Sequence, residues 1–226
     1  MLPSKSDITV ILPAYNEADS IGGVIDGIRR YSNARIIIGD NNCSDDTASI
    51  ATRRNCDVVR VAQQGKGATI RKLIGEVDTE YVIMSDADGT YPVGSCISYL
   101  RLLLEQVDTV IGQRKWMVGD AMSAVHRLGN IGLSVMASVL YLHPVTDLCS
   151  GLWGFRTDVL KSFKLTSNGF GLEAELLANV IRGGYSLVYV PIPYFPRVGK
   201  GKSKLKVATG ITIAKQLLVS RFSRRR

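Results

Sequence analysis

The sequence predicts an α/β protein with a mostly parallel central sheet and helices on both faces. Three observations carry this expectation. Short apolar runs alternate with amphipathic helical segments from Ile8 to Ser85, the βαβαβαβ order of a parallel sheet. The apolar runs end in polar residues, as strands do at the rim where α/β proteins bind ligands. The 226 residues, 46% hydrophobic and 21% charged, suffice for one well-buried domain and contain no linker, low-complexity tract or repeat.

Each element follows from local pattern. Ile8–Leu12 is an apolar run closed by Pro13, a buried strand. Asn16 or Asp19 caps a helix to about Tyr31, with Ile21, Val24, Ile25 and Ile28 on one face. Arg35–Gly39 is a second strand ending at Asp40. Ser44 caps a helix to about Asn55, because Ser44, Asp45 and Asp46 bring acceptors and negative charge to its first turn. Val58–Val61 is a third strand. Gly65-Lys66-Gly67 opens a helix to about Gly75, and Glu80–Ser85 is a fourth strand ending at Asp86 and Asp88. The second half continues with a helix over 94–105, a strand over 109–112, a long helix over 122–141 and a strand over 152–156. A helix over 171–182, a strand over 187–190 and a closing helix over 204–222 complete the chain.

The net charge of +8 is uneven: after Pro196 there are ten basic residues and no acidic one. That asymmetry calls for an anionic partner, whether nucleic acid, an anionic bilayer or phosphorylated substrates. Cys43, Cys56, Cys96 and Cys149 lack Cys-x-x-Cys spacing and read as reduced thiols of a cytoplasmic protein. The N-terminus has no apolar signal region. Leu128–Thr146 is uncharged but holds Asn130, Ser134, Ser138, His143 and Pro144. It falls short of the ~20 predominantly apolar residues of a span and reads as a buried or interfacial helix.

Asp86 and Asp88 are the most informative pair. Two hard oxygen donors at a strand end suit Mg²⁺ or Mn²⁺ shared with substrate phosphates and water, where a lone Asp-x-Asp would be a solvated turn. The dinucleotide and Walker glycine motifs are absent. The first strand ends instead in Pro13-Ala14-Tyr15-Asn16-Glu17, and the second in Asp40-Asn41-Asn42-Cys43-Ser44-Asp45-Asp46-Thr47. Carboxylates and amides there, Asp40 and Asn42 among them, can accept from a ribose or base, and Tyr15 can cover a base; helix capping is the plainer role for Ser44, Asp45 and Thr47.

Those motifs, with Gly65-Lys66-Gly67 and Asp86-Ala87-Asp88-Gly89, resemble the family 2 glycosyltransferases of GT-A fold. Three later segments extend the similarity over about residues 8 to 206: Asp147–Arg156, Gly171-Leu172-Glu173-Ala174-Glu175 and Arg197–Leu205. The set resembles the dolichyl-phosphate mannose synthase-like subgroup, which makes polyprenyl-phosphate sugars. Asn41 and Asn42 stand where the family often has Asp-Gly, and Thr90 where mannose synthases often have Gln.

The resemblance implies a GT-A domain over 1–206 and an inverting, metal-dependent transfer from a UDP- or GDP-linked sugar to polyprenyl (dolichyl) phosphate. Pro13, Tyr15, Glu17, Asp40 and Asn42 would hold the nucleoside, with Lys66 near the ribose or phosphates. Asp86 and Asp88 would meet the diphosphate through Mg²⁺ or Mn²⁺. Arg114, Arg127 and Arg197 would collect the acceptor phosphate, assisted by Ser203 and Lys204, and Glu173 is a candidate base or sugar contact. Residues 207–226, with Val207, Ile211, Ala214, Leu218 and Phe222 at helical spacing between basic residues, form a basic amphipathic tail expected to lie on an anionic membrane surface at its cytoplasmic face. A separate membrane-anchoring subunit is a possible partner; nucleic acid is not expected. The alternatives are a family 2 enzyme with a saccharide acceptor, in which Glu173 is an essential base, and a non-catalytic nucleotide- or RNA-binding module.

Overall fold

The computed structural model describes residues 6–199 and 207–223, the side chains of 207 and 208 excepted. Seven strands form one sheet in the order β3-β2-β1-β4-β6-β5-β7. They are β1 Ile8–Ala14, β2 Arg35–Asp40, β3 Asp57–Arg60, β4 Tyr81–Met84, β5 Thr109–Met117, β6 Trp153–Arg156 and β7 Leu187–Tyr194. The β1–β2, β1–β4, β2–β3 and β5–β7 pairs are parallel. Only β6 is reversed, lying antiparallel between β4 and β5.

The central strands read as continuous apolar runs because both faces are covered. On one face α1 (Ala18–Tyr31), α2 (Thr47–Arg53) and α4 (Val93–Leu104) pack Ile21, Ile25, Ile28, Ala51 and Leu100 against Val10 and Leu12. On the other, α3 (Lys66–Glu76), α5 (Ala124–Tyr141), α6 (Thr157–Ser162), α7 (Leu172–Gly183) and α8 (Val207–Phe222) pack around Ile11, Ile37, Val82 and Trp153. The alternate residues Leu12 and Ile11 pointing to opposite layers are the period-2 signature of a strand.

The structure departs from the sequence reading at several boundaries. β7 runs on through Pro191 and Pro193, which an edge strand tolerates because one side of its backbone needs no partner. β5 extends past Gly112 to Met117, with an irregularity between Arg114 and Trp116. The short helix α6 was not anticipated. Ser44 is not a cap: α2 starts at Thr47 behind Asp46, and the Asp45 carboxylate accepts from the Thr47 amide. Neither Asn16 nor Asp19 caps α1, whose N-cap is Glu17. The first part of the expected closing helix, 204–206, lies outside the described residues, as do Ser203 and Lys204.

Candidate active site

The reversed strand β6 builds the site. Because β6 runs antiparallel to β4, the turn before it comes back to the C-terminal rim of β4, where Asp86 and Asp88 sit. Gly151 then lies directly against Asp86. A Cβ at that position would be 2.2 Å from Asp86 Oδ2, so only glycine fits here without displacing the carboxylate. The Gly151 amide donates to Tyr91 Oη at 2.6 Å, which fixes the turn.

Two cations face the two carboxylates. Lys66, the first residue of α3, places Nζ 2.6 Å from Asp86 Oδ1 and 2.7 Å from Glu173 Oε1 of α7. Burial works against a charged ammonium, but the two carboxylates outweigh it and raise the Lys66 pKa well above that of a free lysine. Arg197 bridges the other side, with Nη1 3.0 Å from Asp88 Oδ2 and Nη2 on Glu17. Asp88 Oδ1 accepts from the Thr90 amide and hydroxyl. Burial, and then the neighbouring Asp86, raise the Asp88 pKa despite Thr90 and Arg197.

The approach of α3 depends on two further glycines. A Cβ on Gly65 or Gly67 would lie 2.2 Å from the Asn168 or Ser167 carbonyl oxygen, respectively, so the loop before α7 can sit on the helix start. Glu175 holds that loop by accepting from the Thr166 and Ser167 amides. Asn41 ties the opposite side: its Oδ1 accepts from the Gly65 amide at 2.7 Å while Nδ2 donates to the Val61 and Gln63 carbonyls. A carboxylate could not make those two donations, which accounts for an amide at this place. Asn42 adopts φ 61°, a left-handed conformation that asparagine tolerates and that suits a position where the family often has glycine.

These residues open onto a cavity of about 800 Å³. Of the residues singled out in the sequence, Pro13, Tyr15, Glu17, Lys66, Asp86, Asp88, Arg114, Glu173 and Arg197 line it. Asp40, Asn42 and Arg127 do not. Asp40 is buried and accepts from the Cys43 amide at 2.9 Å; Asn42 donates to the Ala62 carbonyl; Arg127 is exposed on α5. Sequence reasoning missed Tyr91, Tyr194, Asn130 and Cys149, all on the wall. It also missed the role of Asp147, whose pairing with Arg114 crosses 33 residues and has no local signal. Apolar lining comes from Met122, Val125, Leu133, Phe170 and Ile213, so the cavity reaches between α5 and α8.

The donor set fits one divalent cation. Among the described residues no three His, Cys, Asp or Glu side chains cluster as a closed metal site. Two carboxylates at a sheet rim match an ion that draws its remaining ligands from phosphates and water. Arg197 Nε is buried without a hydrogen-bond partner among the described residues, a donor suited to an anionic oxygen.

A mixed sheet carrying paired aspartates at the end of β4, beside a cavity of this size, is the arrangement of a GT-A fold. The chain belongs to glycosyl transferase family 2, whose model matches residues 9–163. It is 32% identical over 213 residues to a dolichyl-phosphate hexose transferase of Haloferax volcanii, covering 94% of this chain and 92% of that protein. It is 31% identical over 198 residues to the glycosyltransferase AglJ of the same organism, covering 87% of this chain and 65% of that one. Among solved structures it resembles glucosyl-3-phosphoglycerate synthase from Mycobacterium tuberculosis in complex with Mn²⁺, UDP and glucosyl-3-phosphoglycerate, with a TM-score of 0.72 at 22% identity. That match covers 95% of this chain and 79% of the other. The same enzyme with Mn²⁺ and UDP-glucose also superposes with a TM-score of 0.72 at 22% identity, over 95% of this chain and 78% of that one.

Proposed function

We propose that this glycosyltransferase moves one sugar from a UDP- or GDP-linked donor to a polyprenyl phosphate of dolichyl type, with inversion, at the cytoplasmic face of a membrane. The observation that carries the reading is the double character of one cavity: carboxylates and cations are on its wall together with the apolar side chains of Val125, Leu133, Phe170 and Ile213. A saccharide acceptor has no use for an apolar channel between helices, whereas a prenyl chain does. The Haloferax volcanii relative named for dolichyl phosphate supports the same acceptor, and the Mn²⁺ and UDP complexes of the structural relatives support the donor and the cation.

In this reading Pro13, Tyr15 and Glu17 bind the nucleoside. Asp86 and Asp88 would hold Mg²⁺ or Mn²⁺, which supplies Lewis-acid stabilisation of charge on the departing nucleoside diphosphate. Lys66 and Arg197 balance the two aspartates and present donors to the phosphates of donor and acceptor. A lipid monophosphate has its second pKa near ~6 and is mostly dianionic at pH 7, so it needs alignment rather than a strong base. Glu173 is spent on Lys66 and positions it. The outward stripe of α8 is available for the membrane: Ile211 and Phe222 are exposed, while Ile213 and Leu217 pack inward.

The test is incubation with a panel of labelled UDP- and GDP-sugars and dolichyl phosphate, with Mg²⁺ or Mn²⁺ or with EDTA. Cation-dependent label in the organic extract from one donor supports the proposal. Donor binding with no labelled lipid from any donor overturns it.

A further inference from the structure

Among the described residues, the long helix α5 leaves one side without a partner. Its buried side is fixed by Ser134, Ala137 and Tyr141, with Tyr141 Oη donating to the Leu217 carbonyl of α8 at 3.0 Å. Its outer side carries Leu128, Ile131, Val135 and Val139, with Leu142 just past its end, each between 50% and 88% exposed. Their spacing of three or four residues makes a single stripe. The α8 helix packs beside it, with Arg221 Nε donating to the Leu140 carbonyl, and turns Ile211, Leu218, Val219 and Phe222 outward. Exposed apolar faces of this extent mark an interaction site. Yet no helix among the described residues is long and apolar enough to cross a membrane.

We infer that the outer faces of α5 and α8 form one docking surface that lies in the interface of an anionic bilayer, with α5 supplying most of the apolar contact. This rests on the reading of the acceptor as a lipid phosphate. Charge selects the occupant. Neither helix contains an Asp or Glu, and their charged residues are Arg127, Lys215 and Arg221. A second copy would set these cations against each other, while an anionic leaflet complements them. The placement agrees, because the apolar end of the cavity lies between these same two helices, so a chain anchored in the leaflet enters where the surface seats.

The experiment is flotation of the full chain with vesicles of phosphatidylcholine, with and without phosphatidylglycerol, lacking donor and acceptor. Val135→Glu/Val139→Glu places two charges on the stripe at exposed positions outside the cavity, and Val135→Leu/Val139→Leu is the control. The wild type and the Leu variant should float with the anionic vesicles. The Glu variant should lose roughly tenfold or more of the bound fraction, with circular dichroism and melting midpoint unchanged. Flotation of the Glu variant equal to wild type overturns the inference. So does a wild type that ignores vesicles and sediments as a dimer that the Glu substitutions split, which would make this face a contact between copies. The vesicles hold no polyprenyl phosphate, so this result stands apart from any failure to find the transfer activity.

Discussion

Arg114 and Asp147 form a buried two-point ion pair, Nη2 to Oδ1 at 2.6 Å and Nε to Oδ2 at 2.9 Å. The Arg114 backbone amide donates to the same carboxylate, and Asn130 Nδ2 from α5 adds a fourth bond at 2.9 Å. The guanidinium also lies 5.3 Å over the Tyr194 ring. The pair thus locks β5, β7, α5 and the loop before β6 around the cavity, and Arg114 is held in place before any phosphate arrives.

Breaking this pair from one side leaves an uncompensated buried charge, which costs ~3–5 kcal/mol. Arg114→Ala should therefore lose activity together with that much stability in chemical denaturation. Arg114→Met/Asp147→Leu should regain much of the stability without regaining turnover. A stable Arg114→Ala protein would contradict the structural half of this account.

Glu173 makes the opposite forecast. With a dianionic acceptor, Glu173→Gln should keep measurable turnover, within about a hundredfold of wild type, since general-base catalysis of the kind it would remove contributes ~10²–10⁴-fold. Lys66→Ala should do more harm, raising the donor KM, because Asp86 and Glu173 then face each other unbalanced. Steady-state kinetics on both variants checks this. Loss of all turnover in Glu173→Gln alone would point to a hydroxyl acceptor.

The first half of the fold was legible because three of its four strands are apolar runs ending near Pro13, Asp40 or Asp86, and each helix begins near a polar turn. The candidate site was legible at the ends of β1 and β4 and at the starts of α3 and α7, while Asp40 at the end of β2 lies outside the cavity. It was not legible where long-range pairing decides. Nothing near Asp147 announces Arg114, and nothing in the Ser150-Gly151 turn announces that a reversed strand will press it against Asp86. On α8, Ile213 and Leu217 pack on the core, while Ile211, Leu218 and Phe222 of the expected stripe face out. The uncharged run Leu128–Thr146 reads as a buried or interfacial helix, and α5 has a side of each kind: Ser134, Ala137 and Tyr141 are buried while Leu128, Ile131, Val135 and Val139 are exposed. Arg127, expected at the acceptor phosphate, is exposed outside the cavity; on the same turn of α5 it is His126 and Asn130 that line the wall.

Gly151→Ala should separate cation binding from folding. The added methyl must push Asp86 Oδ2, 2.2 Å away, out of place. Mn²⁺ affinity measured by calorimetry in the presence of nucleoside diphosphate should fall by about tenfold or more, the scale seen when support of a metal ligand is lost. A variant that binds Mn²⁺ normally would remove Asp86 from the ligand set.

Acidification should weaken cation binding earlier than for an ordinary carboxylate site. Burial and the adjacent Asp86 raise the Asp88 pKa, so Asp88 takes up its proton at a higher pH than usual, and a protonated carboxyl is a poor ligand. For folding of the cation-free protein the sign is reversed. A raised acid pKa favours the protonated folded state, so this contribution is full below the unfolded pKa and is lost as pH rises through the folded one. Thermal shift with and without Mn²⁺ across the acidic range should show the gap between the curves closing as pH falls. A gap constant with pH would mean that Asp88 is not a ligand.

The central claim is that one cavity pairs a nucleotide-sugar with a lipid phosphate. The most direct measurement is competition in a single tube: one labelled donor that the protein binds, dolichyl phosphate in detergent, and a mixture of free saccharides at equal concentration. The account predicts label in the organic phase, as a sugar-phosphate ester of inverted anomeric configuration, with the saccharides unlabelled. Label in the saccharides with none in the lipid would contradict it.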